Sequence, residues 1–220
     1  MNAVSERDEG LVRISIGAIA LEGNLLIPEG GRGIVAFAHG SGSSRFSARN
    51  RAVAQSLRDA GIGTLLIDLL TQQEEMVDTR TAHLRFDIEL LADRLVAATQ
   101  WLARQPQTER LKLGLFGAST GGAAALVAAS RIPDRIAAVV SRGGRPDLAG
   151  PALAHVQAPT LLIVGGDDKQ VIGMNRQAAE QMNAPHRIEI IPGAGHLFEE
   201  PGALEEVARL ASEWFGKYLG

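Results

Sequence analysis

Residues 11–27 run apolar in two short pieces, LVRISI and IALEGNLLI, with Gly17 between them and Pro28 closing the second. This pattern predicts two antiparallel strands. After the turn-forming Pro28-Glu29-Gly30-Gly31, the segment GIVAFAH is a short continuous apolar run, as expected of a strand covered on both faces, and it ends at Gly40. The period then changes. Ala48, Ala52, Leu57 and Ala60 recur at helical intervals over residues 47–59, and Gly61 and Gly63 stop that helix ahead of the strand TLLID. Residues 83–104 predict a longer amphipathic helix with Leu84, Ile88, Leu91, Leu95, Ala98 and Leu102 on one face, and Pro106 just past its end.

The alternation continues with the strand LKLGLF, an Ala-rich helix over 121–131 and the strands IAAVV and TLLIVG. A helix near 172–182, the strand HRIEII and a last helix over 203–218 complete it. Strands alternating with helices imply an α/β fold: a mostly parallel sheet with an antiparallel N-terminal strand and helices on both faces. The expected organisation is a polar segment over residues 1–10 and one domain over 11–220, a length that suits a single core.

Composition narrows the function. Apolar residues make up 45% and charged residues 21%, the balance of an ordinary globular protein. The net charge is −3 and the basic residues are scattered, so the electrostatic footprint of a nucleic-acid binder is missing and a small-molecule partner fits better. The chain has no cysteine, which excludes disulfides, thiolate nucleophiles and cysteine-based metal sites. The first ten residues lack the apolar stretch of a secretory signal, and no apolar run is long enough to cross a bilayer. The expectation is a cytoplasmic protein with no membrane partner, no metal and no cofactor; oligomeric state stays open.

The candidate chemistry begins at Gly117-Ala118-Ser119-Thr120-Gly121, a G-x-S-x-G sequence set between a predicted strand and a predicted helix. Among 25 glycines the letters alone are weak, but the strand-to-helix placement is what an exposed nucleophile requires. The flanking glycines are needed because side chains there would collide with the neighbouring strand and helix, and the helix N-terminus favours a developing oxyanion. The competing reading is a serine that merely caps the helix.

A serine hydroxyl is scarcely ionised at neutral pH, so it needs a base, and histidine has the suitable pKa. Five histidines compete. His196 lies in the Gly-rich loop Gly193-Ala194-Gly195-His196-Leu197 after the last strand, where backbone can carry an imidazole over the sheet edge. His39 ends a strand and reads as a buried histidine bonding loop backbone, while His83, His155 and His186 lack a comparable setting. The carboxylate that would orient the imidazole is Asp168, with Asp167 as the solvated or helix-capping neighbour. For the oxyanion, Thr120 supplies one backbone donor, and Ser41 in the loop His39-Gly40-Ser41-Gly42-Ser43-Ser44 supplies the second. A phosphate-cradling loop is the rival reading of that segment, yet the GK[ST] ending is absent.

At these residues the chain resembles the α/β-hydrolase superfamily, and more narrowly the dienelactone hydrolase-related group of small cap-less enzymes. FAHGSGSS resembles the oxyanion loop, GASTGG the nucleophile elbow, VGGDDKQV the acid turn and GAGHLFEEPG the histidine loop. The order Ser, Asp, His also agrees with that superfamily. The chain departs from dienelactone hydrolases proper in carrying serine where they use cysteine. The resemblance therefore implies a carboxylesterase-like serine hydrolase acting on small or short-chain esters.

The connection between VVSRGG and TLLIVGG is too short for a helical lid, so an open, shallow site is expected. Arg142 and Arg145 follow the strand IAAVV at the edge where the active loops gather. Either could hold a substrate carboxylate, although pairing with acids such as Asp147 is the ordinary alternative. Asp68 at the same edge reads as a loop pin, and Glu199 and Glu200 as solvent-facing. Acyl transfer, perhydrolysis or thioester cleavage on the same three residues is a second reading, and a non-catalytic binding protein on the same fold is a third.

Overall fold

The computed structural model describes residues 10–220, so the polar segment lies outside the described residues except for Gly10. Strands β1 (Leu11–Ile16) and β2 (Ile19–Leu26) form a hairpin. They are followed by β3 (Gly33–Ala38), helix α1 (Ala48–Asp59), β4 (Ile62–Ile67), α2 (Gln72–Thr81) and α3 (Ile88–Leu102). Then come β5 (Lys112–Ala118), α4 (Thr120–Arg131), β6 (Ile136–Arg142), β7 (Thr160–Gly165), α5 (Lys169–Ala179), β8 (His186–Ile191) and α6 (Ala203–Leu219). The sheet runs β1-β2-β4-β3-β5-β6-β7-β8; β2 lies antiparallel to both neighbours, and every pairing from β4 to β8 is parallel.

This is an α/β-hydrolase fold with helices on both faces. Ala36, Leu65, Leu115 and Val139 point into a core shared with α3 and α4, while Val35, Phe37, Phe116 and Val140 point into the one beneath α1 and α6. The period-2 alternation of each strand thus feeds both cores, which is why the central strands read as unbroken apolar runs. Glycines thin the sheet where α6 crosses it, since a Cβ on Gly114 would lie 2.6 Å from the Phe215 ring.

Two expectations about helices need correction. The helix expected over 83–104 starts only at Ile88, because Asp87 leaves the helical conformation and its carboxylate caps Leu90 N–H at 3.0 Å; residues Leu84–Phe86 form a separate 3-10 turn. The helix expected near 172–182 begins at Lys169, where Asp168 serves as its cap. Helix α2 is an addition to the predicted elements. Between β6 and β7 the chain makes an irregular 3-10 segment, Pro146–His155, broken at Gly150. No described helix is long and apolar enough to cross a membrane.

Candidate active site

Because the central strands are parallel, their C-terminal ends open on one edge of the sheet, and the loops that follow β3, β5, β6, β7 and β8 meet there. Ser119 occupies the tight turn between β5 and α4 with φ 51° and ψ −121°, outside the regions an L-residue ordinarily adopts. A Cβ on Gly121 would lie 2.6 Å from the carbonyl oxygen of His39, and one on Gly117 would lie 2.5 Å from the Cα of Gly122. The elbow closes only because both positions lack side chains. Ser119 does not cap α4 with its side chain, so the capping alternative has no support in its contacts, and its hydroxyl belongs to a half-buried residue at the sheet edge.

The ends of β5 and β6 tie the serine to the histidine loop. Ser119 N–H donates to the Arg142 carbonyl at 3.3 Å, and the Ser119 carbonyl accepts from Gly122 and Arg145 at 3.0 and 3.1 Å. The next residue, Gly143, packs directly beneath the imidazole, since a Cβ there would stand 3.7 Å from His196 Cε1. His196 Nδ1 lies 2.7 Å from Asp168 Oδ2, and their side chains are 41% and 16% exposed. The carboxylate can only accept, so Nδ1 carries the proton and Nε2 is left as the basic nitrogen. Asp168 is held in turn by its N-cap bond to Val171 N–H, and Asp167 N–H donates to Ala194 O at 3.0 Å, fastening the acid turn to the histidine loop. Helix capping therefore falls to Asp168, whereas the Asp167 side chain is solvated.

The backbone donors come from two directions. Thr120 is the first residue of α4, so its N–H has no preceding helical turn to bond. The loop carrying Ser41 passes over the serine: a Cβ on Gly40 would lie 2.9 Å from Ser119 Cβ. His39 anchors that loop from below. Its Nε2 accepts Leu69 N–H at 3.1 Å, which leaves Nδ1 to donate to Gly40 O at 3.0 Å. Asp68 pins the same loop by accepting Arg45 N–H at 2.6 Å and pairing with the Arg45 guanidinium.

Arg142, at the end of β6, and Arg145, in the loop after it, separate in role. Arg145 is engaged by both carboxylate oxygens of Asp147, at 2.7–3.2 Å, and this pair raises its pKa. Arg142 is only 8% exposed, makes no ion pair among the described residues, and stacks 6.0 Å from the centroid of the Phe198 ring. Burial, followed by repulsion from Arg49, pushes its pKa down to about 10. Glu199 and Glu200, expected to face solvent, are exposed but engaged: Glu199 pairs with Arg49 at 3.0 Å and Glu200 accepts Gly195 N–H at 3.0 Å.

The residues between β4 and α3 add a feature absent from the sequence reading. Asp78, fully buried, accepts the N–H groups of Leu84 and Arg85 and the Arg85 side chain, locking the 3-10 turn onto α2. Arg85 then reaches the loop carrying Ser41, where a Cβ on Gly42 would meet its Nη1 at 3.4 Å. A cleft of about 580 Å³ lies at the opposite edge of the sheet around Leu102–Leu113 and Ile132–Ala137, away from Ser119 and His196.

Residues 21–218 match the Dienelactone hydrolase family. The chain belongs to that family. A crystal structure of dienelactone hydrolase from Anabaena variabilis is 65% identical, covers 96% of this chain and 97% of its own, and superposes with a TM-score of 0.94. Est1E from Butyrivibrio proteoclasticus shares the fold at a TM-score of 0.80 but only 15% identity, over 96% of this chain and 99% of its own. A Mycobacterium tuberculosis protein provisionally named a phosphoribosyl transferase is 55% identical over 97% of this chain. The dienelactone hydrolase-like chain spans 47% of that relative. The chain thus shares both the family and the fold of dienelactone hydrolase.

Proposed function

We propose that this dienelactone hydrolase-like protein is a serine esterase that cleaves small or short-chain carboxylic esters through an acyl-enzyme. The observation that carries the reading is the 2.7 Å contact of His196 Nδ1 with Asp168 Oδ2, in a loop packed against the β6 end that also holds Ser119. In this mechanism His196 Nε2 takes the proton of Ser119 Oγ as the oxygen attacks the ester carbonyl. The negative charge on the tetrahedral carbonyl oxygen is met by the N–H groups of Thr120 and Ser41. His196 then delivers its proton to the departing alkoxide. Water, deprotonated by the same imidazole, attacks the acyl carbonyl and releases the acid with Ser119 restored. No step requires a metal or an organic cofactor. Acyl transfer to peroxide or another acceptor, or cleavage of a thioester, would use the same groups with a different nucleophile or leaving group.

The geometry favours open access: among the described residues the β6–β7 connection is a short 3-10 segment rather than a helical lid. The relatives named for phosphoribosyl transfer are about twice as long as this chain. The test is hydrolysis of nitrophenyl esters by the purified protein and its Asp168→Asn variant. Asp168→Asn is expected to lower kcat by roughly 10³–10⁴-fold, since an amide favours the wrong imidazole tautomer. Equal rates in the two proteins would overturn the proposed mechanism.

A further inference from the structure

An edge strand carries a row of backbone N–H and C=O groups without partners, and folds usually guard it with like charges, proline or a bulge. β8 closes one side of the sheet and pairs, among the described strands, with β7 alone. The phase of that ladder is fixed. The carbonyls of Pro185 and Ile191 accept the N–H groups of Thr160 and Gly166 at 3.0 and 2.8 Å, so the odd-numbered residues of β8 bond toward β7. In a parallel ladder the N–H and C=O of one residue point the same way, so His186, Ile188 and Ile190 turn theirs outward. Pro192, the next outward position, has no N–H and ends the row. Side chains alternate as well. Ile191 belongs to the core beneath α6, which puts Arg187 and Glu189 on that face and Ile188 and Ile190 on the face of α5. Arg187 and Glu189 pair with each other, at 64% and 24% exposure, and cancel in charge, while Ile190 stays 36% exposed. The outward row of β8 is thus free of the net charge that would repel a second strand.

We propose that β8 pairs antiparallel with β8 of a second copy of this chain, about a twofold axis through Ile188, joining two sheets into one. Antiparallel pairing sets outward residues opposite outward residues, so the axis must pass through a residue of β8 rather than between two. Charge then selects the residue. An axis through Arg187 opposes that arginine to its own copy, and an axis through Glu189 does the same with the carboxylate. An axis through Ile188 sets Arg187 opposite Glu189 of the partner subunit, twice over, at the closely spaced positions of the ladder. It also uses every outward N–H and C=O of His186, Ile188 and Ile190, whereas axes through His186 or Ile190 leave some of them unpaired. On the α5 face, Ile188 meets its own copy and Ile190 lies opposite His186 of the partner subunit, covering apolar surface that the single chain leaves in water. The inference is independent of the esterase reading.

Association is measured by sedimentation velocity of the purified chain at micromolar concentrations, where twice the chain mass is expected. Arg187→Glu and Glu189→Arg each place like charges across the axis and are expected to weaken association about tenfold or more. Combining the two substitutions in one chain is expected to restore it. Ile188→Pro is expected to give a monomer that keeps its Tm within a few degrees, because the N–H it removes faces away from β7. The chain has no cysteine, so one introduced at the axis reports its own contact. Paired Cα atoms there lie about 5.5 Å apart, within disulfide reach, whereas Ile190 stands about 13 Å from its own copy. Ile188→Cys is therefore expected to oxidise to a covalent dimer about tenfold faster than Ile190→Cys. A monomeric unaltered protein would overturn the proposal. So would a dimer that survives Ile188→Pro, since the contact would then lie on another face. Loss of the dimer in both single reversals without recovery in the double variant, or equal oxidation of the two cysteine variants, would overturn the axis through Ile188. If Ile188→Pro does not fold, the charge reversals and the cysteine variants carry the same decision.

Discussion

Single atoms decide whether the elbow can form. A methyl group on Gly121 would press on the backbone oxygens of residues 38 and 39, which belong to a strand end and cannot retreat cheaply. Gly121→Ala is therefore expected to destabilise the fold by roughly 1–3 kcal/mol, seen as a fall of several degrees in Tm by calorimetry, with loss of the proposed esterase activity. Gly173 makes the contrast: nothing lies within 4 Å of a Cβ there, so Gly173→Ala in the middle of α5 is expected to leave Tm unchanged or raise it slightly. The placement of Ser119, His196 and Asp168 at one sheet edge is legible in the sequence because each sits just past a strand, and the ends of parallel strands share one edge. The isolation of Arg142 was not legible. Whether a buried arginine finds an acid depends on what neighbouring strands and helices present, and Asp147, close in sequence to both Arg142 and Arg145, pairs with Arg145.

The central strands and the flanking helices followed from periodicity, whereas α2 did not. Its sequence, QQEEMVDTRT, has no apolar stripe, and Met76 and Val77 stay exposed. Its start was nevertheless marked: Thr71 and Glu74 form a reciprocal capping box, with Thr71 N–H to Glu74 Oε2 at 2.7 Å and Glu74 N–H to Thr71 Oγ1 at 3.2 Å. The same Glu74 pairs with the buried Arg94, and these contacts, led by the Arg94 hydrogen bond, lower its pKa from the ordinary 4.5 to about 2. A depressed carboxyl pKa stabilises the fold fully above the unfolded-state value and loses that contribution as pH falls toward the folded value. The Tm advantage of the unaltered protein over Glu74→Gln should thus hold at pH 6 and shrink between about pH 4.5 and pH 2. A gap that does not change over that window would show that the carboxylate–Arg94 pair adds no stability.

At the scale of the whole molecule, the family likeness and the exposed sheet edge lead to the same expectation about size. With a short β6–β7 connection, little wall is expected to grip a long acyl chain. Activity on nitrophenyl esters should be highest for short acyl groups and fall steeply for long ones; comparable turnover of long-chain triglycerides would contradict this. The central claim concerns one hydroxyl made nucleophilic by contacts from three separate stretches of chain. Its most direct test is mass spectrometry of the protein after reaction with a fluorophosphonate. The account predicts one covalent adduct, mapped to the peptide containing Ser119 and absent from Ser119→Ala. An unmodified protein, or an adduct that persists in Ser119→Ala, would contradict it.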